Sequence, residues 1–279
     1  MRLTKDRLCL YSSLERGRSS AKTIIETAVG YGVGGVELMS FCDEMRIPDR
    51  KNARELCDMA RSSGLRIPCF SVFADLYTSP DTERERLARY AEICAENSIP
   101  ALHHTVDPSL SIHSMSIEDR TERFRLVSER LAHTVEYTHS LGVKTLIEDQ
   151  GFVFNGADAL ESLVGTFGES FGILLDFGNI LFVDESSTSL AQRLSGSVVH
   201  AHIKDYRVTG APLDSRSYRT LGGRYLTDCE IGTGDVDVLA TAEALERAGY
   251  RGMYSLEFAA PVSDAEARRV LNLLTGGEK

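Results

Sequence analysis

Four residues that can bind a divalent metal ion lie in the second half of the chain, each near the end of an apolar segment. They are Glu148, Asp176, His202 and Glu257. Glu148 precedes Asp176 by 28 positions and Asp176 precedes His202 by 26, which fits one strand and one helix per step. Carboxylate oxygens and an imidazole nitrogen suit Mn²⁺, Mg²⁺, Co²⁺ or Zn²⁺ and leave positions for water or substrate oxygens. One such residue alone is better explained as a polar group beside a loop, but the position shared by all four favours a common site.

The segment 198–205 places three further polar groups on one face of a predicted buried strand. Because side chains alternate along a strand, His200, His202 and Lys204 point to the same side, and apolar residues point to the other. Two imidazoles and an ammonium group are costly to bury without partners. A divalent cation, with carboxylates from neighbouring strands, would supply one partner. This face of the strand is therefore predicted to line the metal site.

Eight short apolar segments alternate with eight predicted helices and would position these groups. The predicted strands span 8–11, 36–39, 65–72, 101–104, 142–148, 172–176, 198–203 and 252–257. Regular alternation of strands and helices implies a parallel sheet. Eight such units predict a closed (β/α)₈ TIM barrel, an α/β fold with its active site at the carboxyl ends of the strands. We expect one domain over residues 1–279.

An open doubly wound sheet is the rival architecture. It would need a glycine-rich phosphate-binding turn directly after a strand. The glycines between residues 30 and 35 precede the second predicted strand, so they indicate a turn. The barrel is therefore the favoured fold.

Composition restricts the classes of partner. The net charge of −10 argues against a nucleic-acid surface, because phosphate binding needs clustered Lys and Arg. The six cysteines show no two-residue spacing typical of zinc or redox motifs, which favours free thiols in a reducing compartment. The chain begins without a signal-peptide pattern and contains no apolar run near 18 residues. These features predict a cytoplasmic protein with no membrane partner.

The chain resembles the xylose isomerase-like TIM barrels. That family includes sugar phosphate isomerases/epimerases, ketose 3-epimerases, hydroxypyruvate isomerase, inosose dehydratase and the zinc apurinic endonucleases. The segments 147–148, 175–179, 200–205 and 232–257 carry the resemblance, which is weaker before residue 140. The last of them is the most specific, with a glycine pair, a helix, Gly-Tyr-x-Gly and a strand that ends in Glu257.

The resemblance implies one divalent metal ion held by Glu148, Asp176, His202 and Glu257, with Mn²⁺ expected first and Mg²⁺, Co²⁺ or Zn²⁺ compatible. It also implies a metal-dependent isomerase or epimerase that acts on a ketose, keto-sugar or sugar phosphate through a metal-stabilised enediolate. Glu148 and Glu257 would then act as catalytic base and acid, although both can be ligands only. The alternative is a lyase or dehydratase of the inosose dehydratase type, acting on a keto-polyol or keto-glycoside. A non-catalytic sugar-binding barrel is a third possibility.

Several other residues are candidates for substrate contact. Lys204 can contact substrate or form a structural salt bridge, and Asn179 stands where several family members have His and can bond a sugar hydroxyl. His200 lies deeper than His202, where it either supports a metal ligand or packs in the core.

Glu37 ends the second predicted strand, where it can contact substrate or form structural hydrogen bonds. Only one of His103 and His104 can point inward, and alternation alone does not choose between them. We assign the substrate contact to His104.

The long segment 206–231 exceeds the usual length of a strand–helix connection. It is a candidate lid or subunit contact, so a homo-oligomer is possible. Its arginines either meet an anionic substrate or are solvated. The segment has no Asp-x-His motif of the kind that the apurinic endonucleases use, which, with the acidic charge, argues against DNA repair. A small carbohydrate is the expected partner.

Overall fold

The computed structural model describes residues 2–11, 20–108, 115–258 and 263–277. Within these ranges the chain forms twelve strands and eight α-helices. The strands are β1 (Leu8–Leu10), β2 (Gly35–Val36), β3 (Leu38–Met39), β4 (Phe70–Val72), β5 (Ala101–His104), β6 (Lys144–Glu148), β7 (Phe171–Asp176), β8 (Val198–Ile203), β9 (Tyr206–Thr209), β10 (Tyr218–Arg219), β11 (Tyr225–Asp228) and β12 (Tyr254–Leu256). The helices are α1 (Ala21–Tyr31), α2 (Arg50–Ser62), α3 (Pro80–Glu96), α4 (Ile117–Ser140), α5 (Ala157–Phe167), α6 (Ser187–Leu194), α7 (Val238–Arg247) and α8 (Asp264–Thr275).

Nine parallel strands form a sheet that is nearly closed as a barrel. Their order is β2, β1, β12, β8, β7, β6, β5, β4, β3. The two end strands, β2 and β3, are pieces of one predicted strand, separated by the single residue Glu37. Because β2 pairs with β1 and β3 pairs with β4, the two ends of the sheet meet at this residue. The predicted TIM barrel is confirmed.

Side-chain caps explain where several helices begin. The Ser20 hydroxyl accepts the backbone N–H of Thr23 at the start of α1, and Ser263 forms a capping box with Glu266 at the start of α8. At its other end α1 stops at Gly32, whose φ of +67° lies in the left-handed region that glycine tolerates. Helix positions are therefore largely encoded in local sequence.

The inward faces of β5, β6 and β7 are apolar at depth and polar near the mouth. Cys69, Ala101, Leu146 and Leu174 form a small buried cluster separate from the large core between sheet and helices. The residues two positions further along two of these strands are Glu148 and Asp176, which share the inward face. Strand alternation thus converts an apolar floor into a polar upper layer.

Two predicted segments differ from the structure. The strand predicted over 65–72 is reduced to β4, and Arg66 makes only an isolated bridge with Gly35. Pro68 lies between Arg66 and β4, and it lacks the backbone N–H group that would hydrogen-bond to a neighbouring strand. The segment 206–231, predicted as a long strand–helix connection, contains an antiparallel sheet in the order β10, β11, β9.

This small sheet has its own apolar support. Phe152, Phe182, Tyr206 and Leu226 form a buried cluster beneath it. The Phe182 and Tyr206 rings meet edge to face with centroids 5.8 Å apart. Among the helices described, none is long and apolar enough to cross a membrane.

Gly34 and Gly30 allow a controlled test of the close backbone contact between Gly34 and residues 5–8. The Gly34 N–H donates to the carbonyls of Lys5 and Leu8, and a Cβ added at Gly34 would overlap the Asp6 carbonyl. Gly30 lies in α1 with nothing within 4 Å of an added Cβ.

We expect Gly34→Ala to lower the free energy of unfolding by about 2–3 kcal/mol through this overlap. Gly30→Ala is expected to raise it by about 0.5–1 kcal/mol, because Ala favours helix. Urea unfolding of both variants measures the difference. Equal stability of the two variants would contradict this account of the close approach.

Candidate metal centre

The four predicted ligands converge at the carboxyl ends of neighbouring strands. Glu148 and Asp176 end β6 and β7, His202 lies in β8, and Glu257 directly follows β12. Asp176 pairs in register with His202, and His202 pairs with Ser255, two residues before Glu257. One ligand atom from each of the four residues lies within 4.8 Å of the others. The barrel therefore gathers side chains that are distant in sequence.

The donor set fits a divalent cation. Asp176 Oδ1 accepts the backbone N–H groups of Gly178 and Asn179, each at 2.7 Å. Its other oxygen, Oδ2, is buried and has no hydrogen-bond partner among the described residues. Three carboxylates and one imidazole are the ligand types that Mn²⁺, Mg²⁺ or Zn²⁺ accept. A buried carboxylate oxygen left free in such a cluster is the place that a cation would fill.

His202 presents a defined nitrogen to this cluster. Its Nδ1 lies 2.9 Å from Glu257 Oε2 and 3.7 Å from Glu148 Oε1. Its Nε2 faces the other way and lies 3.0 Å from Glu37 Oε2. Nδ1 is therefore the atom that would bind the metal.

The two glutamates of the cluster have different neighbours, which shift their pKa values in opposite directions. Burial, followed by the charge of Glu257, raises the pKa of Glu148 above the usual carboxyl range. Burial also disfavours the charged form of Glu257, but Lys204 and His202 outweigh it and hold the pKa of Glu257 below that range. The Lys204 Nζ donates to Glu257 Oε1 at 2.6 Å. Glu148 instead accepts the Asn179 side-chain amide at 3.0 Å.

Asp176 and His202 are also shifted. Burial raises the pKa of Asp176. Burial opposes the protonated form of His202, but the charges of Glu37 and Glu257 outweigh it, so the pKa of His202 lies well above its usual value. Protons on the cluster therefore compensate part of its negative charge, and a metal ion has to displace them.

Glu37 lies beneath the cluster, in the break between β2 and β3. Its carboxylate accepts from the hydroxyls of Ser71 and Ser255, the latter at 2.6 Å, and contacts the Nε2 atoms of His200 and His202. It is 1% exposed and its acceptor positions are used. Because four side chains enclose Glu37, the geometry favours its structural hydrogen-bonding role over the predicted contact with substrate. His200 lies 2.9 Å from Glu37 Oε2, behind His202.

The structure also corrects the choice between the two histidines of β5. Ala101 belongs to the inner apolar layer, so His103 shares its face, and His104 points outward. His103 Nε2 lies 3.7 Å from Glu148 Oε2, whereas His104 Nδ1 donates to the Thr105 carbonyl at 2.8 Å. The predicted substrate contact of His104 therefore lacks support from the geometry, which places His103 on the inward face.

Three site residues escaped the sequence analysis. The Tyr11 ring packs against the His202 ring at a tilt of 40°, with centroids 4.5 Å apart, and the hydroxyls of Ser71 and Ser255 donate to Glu37. The alternation of side chains along a strand could have identified them. Tyr11 and Ser71 each follow a cysteine by two positions, and Ser255 precedes Glu257 by two, so each pair shares one face of its strand.

Three of the four arginines in the segment 206–231 have partners away from the cluster. Arg224 pairs with Asp184 at 2.9 Å and Arg216 with Asp214 at 3.3 Å. Arg207 donates to the Thr233 carbonyl. These three arginines therefore do not support the prediction that the segment binds an anionic substrate.

Comparison with known proteins identifies the family and supports the fold. The chain belongs to the xylose isomerase-like TIM barrel family, whose model matches residues 25–274. No match was found among curated proteins.

Solved structures share the fold at low sequence identity. The IOLI protein with a binding zinc atom is 15% identical with a TM-score of 0.73, over 96% of this chain and 99% of that one. The probable 3-DHS dehydratase AsbF from Bacillus anthracis is 16% identical with a TM-score of 0.72, over 96% and 98%. The 3-keto-D-glucoside 4-epimerase YcjR from E. coli is 14% identical with a TM-score of 0.70, over 95% and 96%.

The raised pKa values of Glu148 and His202 predict how metal binding depends on pH. Without metal, both groups keep their protons to higher pH than an ordinary carboxyl or imidazole group because their pKa values are raised, and both must lose them to become ligands. Mn²⁺ affinity is therefore expected to rise with pH, well beyond the ordinary carboxyl range near about 4.

Calorimetric titration of Mn²⁺ at several pH values, in two buffers of different ionisation enthalpy, measures the affinity and the protons released. Glu148→Gln is the matched control, because it lacks one of the titrating groups and should release fewer protons. Affinity that is independent of pH in the unmodified protein would contradict the assignment.

Proposed function

We propose that this protein is a Mn²⁺-dependent isomerase or epimerase that moves a proton next to the carbonyl group of a ketose, keto-sugar or sugar phosphate. The observation that carries the proposal is the convergence of Glu148, Asp176, His202 and Glu257 within 4.8 Å at the barrel mouth. Membership of the family and the epimerase among the solved relatives support it.

The four residues would hold the ion, with His202 bound through Nδ1. When bound, a divalent ion supplies Lewis acidity that favours negative charge on a substrate carbonyl oxygen. The chain itself supplies the groups that move the proton. Two backbone N–H groups donate to one oxygen of Asp176 and hold it in place, so the second oxygen is oriented towards the site.

Glu148 and Glu257 suit opposite halves of a proton transfer. Glu257 is held by the Lys204 ammonium group, which keeps it ionised and oriented as a base. Glu148 contacts the neutral amide of Asn179 and, among the described residues, no ammonium group, so its carboxylate, ionised when it binds the ion, can take up a proton and return it to the substrate. Lys204 and Asn179 would then orient the two carboxyl groups and can also reach substrate oxygens. Their unlike partners support an acid/base pair of the kind that epimerisation needs.

The charges at the mouth favour a neutral substrate over a phosphorylated one. The cluster contributes three carboxylates, Lys204 is paired with Glu257, and three arginines of the antiparallel sheet have other partners. A phosphate group would add negative charge beside these carboxylates, and Lys204, Arg207, Arg216 and Arg224 already have other partners. We therefore place unphosphorylated ketoses and keto-sugars first within the proposed substrate class.

Location and assembly are proposed on separate features. All six cysteines are free thiols, which supports a reducing compartment such as the cytoplasm. The Phe41 and Phe73 rings lie 5.8 Å apart and are 53% and 44% exposed, which gives a second copy of the chain an apolar surface to cover. This surface supports a homo-oligomer.

Elimination is the second candidate reaction. A solved relative named as a probable dehydratase shares the fold, and the same proton abstraction can expel a hydroxyl or a linked aglycone from the neighbouring carbon. Lys204, paired with Glu257, is a cation that can stabilise the departing oxygen. A keto-polyol or keto-glycoside would be the substrate.

Deuterium exchange tests the proton transfer directly. The Mn²⁺-loaded protein is incubated in heavy water with D-fructose, D-psicose and 3-keto-D-glucosides, and products are resolved by mass. We expect carbon-bound deuterium with mass otherwise preserved. Loss of water or of the aglycone would instead select the elimination reaction.

Replacing the proposed base should remove the exchange. Glu257→Gln is expected to slow it by at least about 10²-fold, the contribution typical of a general acid or base. Glu161→Gln is the control, because Glu161 lies on α5 in an ion pair with Arg193. Full exchange in Glu257→Gln would overturn the proposed role.

A further inference from the structure

His103 has an unsatisfied nitrogen beside the proposed metal centre. The side chain is 3% exposed, and its Nε2 has no hydrogen-bond partner among the described residues. This atom lies 3.7 Å from Glu148 Oε2, which is beyond hydrogen-bond distance. Buried polar atoms normally find a partner, so this nitrogen requires an explanation.

The hydrogen bonds below His103 determine which nitrogen carries the proton. Glu37 accepts from Ser71, Ser255 and two imidazoles, as an ionised carboxylate does. The single hydroxyl hydrogen of Ser71 is therefore used towards Glu37. The Ser71 oxygen lies 2.8 Å from His103 Nδ1 and can only accept there. His103 is consequently the tautomer with hydrogen on Nδ1 and a lone pair on Nε2.

Once Glu148 has lost its proton to become a metal ligand, two acceptors face each other across a gap at the site. The Nε2 lone pair of His103 and the Glu148 carboxylate cannot bond one another when Glu148 is ionised. A group with a hydrogen to donate would satisfy the imidazole nitrogen. A sugar hydroxyl has the right chemistry, and a phosphate or carboxylate oxygen, which only accepts, does not.

We propose that His103 accepts a hydrogen bond from a substrate hydroxyl beside Glu148, and that Ser71 and Glu37 are positioning residues that fix its tautomer. This inference deepens the proposed function and rests on it for the identity of the hydroxyl donor as a sugar. It makes His103 a specificity residue for a free hydroxyl near the carbon whose proton moves. A deoxy analogue would leave the nitrogen unpaired and bind less well.

Nitrogen-15 NMR of the histidine rings tests the tautomer without any substrate. In the Mg²⁺-loaded protein, His103 should show hydrogen on Nδ1. Ser71→Ala removes the acceptor of that hydrogen and should shift the ring towards the other tautomer. Ser255→Ala is the matched control, since Ser255 also bonds Glu37 but has no contact with His103. A wild-type ring with hydrogen on Nε2, or on both nitrogens, would overturn the proposal.

A second pair of variants tests the contact with substrate. His103→Asn keeps a donor near Ser71 but lacks a nitrogen at the Nε2 position, and His104→Asn makes the same change on the outward face. For a keto-sugar from the exchange panel, His103→Asn should raise KM roughly tenfold. Its Mn²⁺ affinity should stay within about twofold of that of His104→Asn.

The outcomes separate this inference from the proposed function. Equal KM values for the two variants would overturn the contact with substrate. If the unmodified protein exchanges deuterium into no member of the panel, the proposed function and the sugar donor fail together, whereas the tautomer is decided by the NMR measurement alone.

Discussion

The need to neutralise buried negative charge governs this molecule. Glu148, Asp176 and Glu257 present carboxylates within a few ångströms of each other at the mouth of the barrel, where burial disfavours their charged forms. The surrounding groups reduce that cost in different ways. Backbone N–H groups bond Asp176, an ammonium group bonds Glu257, and an imidazole faces Glu257 and Glu148. A divalent cation would neutralise the charge that remains.

A polar layer around Glu37, beneath the cluster, also helps to compensate charge and to orient the site. Glu37 occupies the one-residue break where the sheet closes, and it bonds the side of His202 that faces away from the ligands. This contact leaves Nδ1 directed towards the cluster. Through Ser71 the same carboxylate also orients His103 on another strand. Closure of the fold and orientation of the site are therefore linked at one residue.

Sequence reasoning identified the parts of the site that depend on strand position alone. Glu148, Asp176, His202 and Glu257 could be grouped because parallel strands end at one edge of a barrel. The choice between His103 and His104 required the inward face of a four-residue strand, which its own sequence does not define. The partners of Glu37 come from three other strands, and their contacts depend on registers that only tertiary pairing sets.

Dependence on tertiary pairing also explains why the predicted secondary structure differs from the structure in two segments. The predicted strand 65–72 has an apolar composition, but Pro68 and the geometry of closure leave only β4 in the sheet. In the segment 206–231, strands β9, β10 and β11 have two to four residues each, too few to show a clear alternation. Their pairing is supported by Phe152 and Phe182 from preceding loops. Such non-local support is invisible to a local pattern.

Anomalous diffraction from a crystal soaked in Mn²⁺ tests the central claim most directly. The account predicts one peak between Glu148, Asp176, His202 and Glu257, at coordination distance from one atom of each, with His202 bound through Nδ1. A peak elsewhere, no peak at this cluster, or coordination through His202 Nε2 would contradict it.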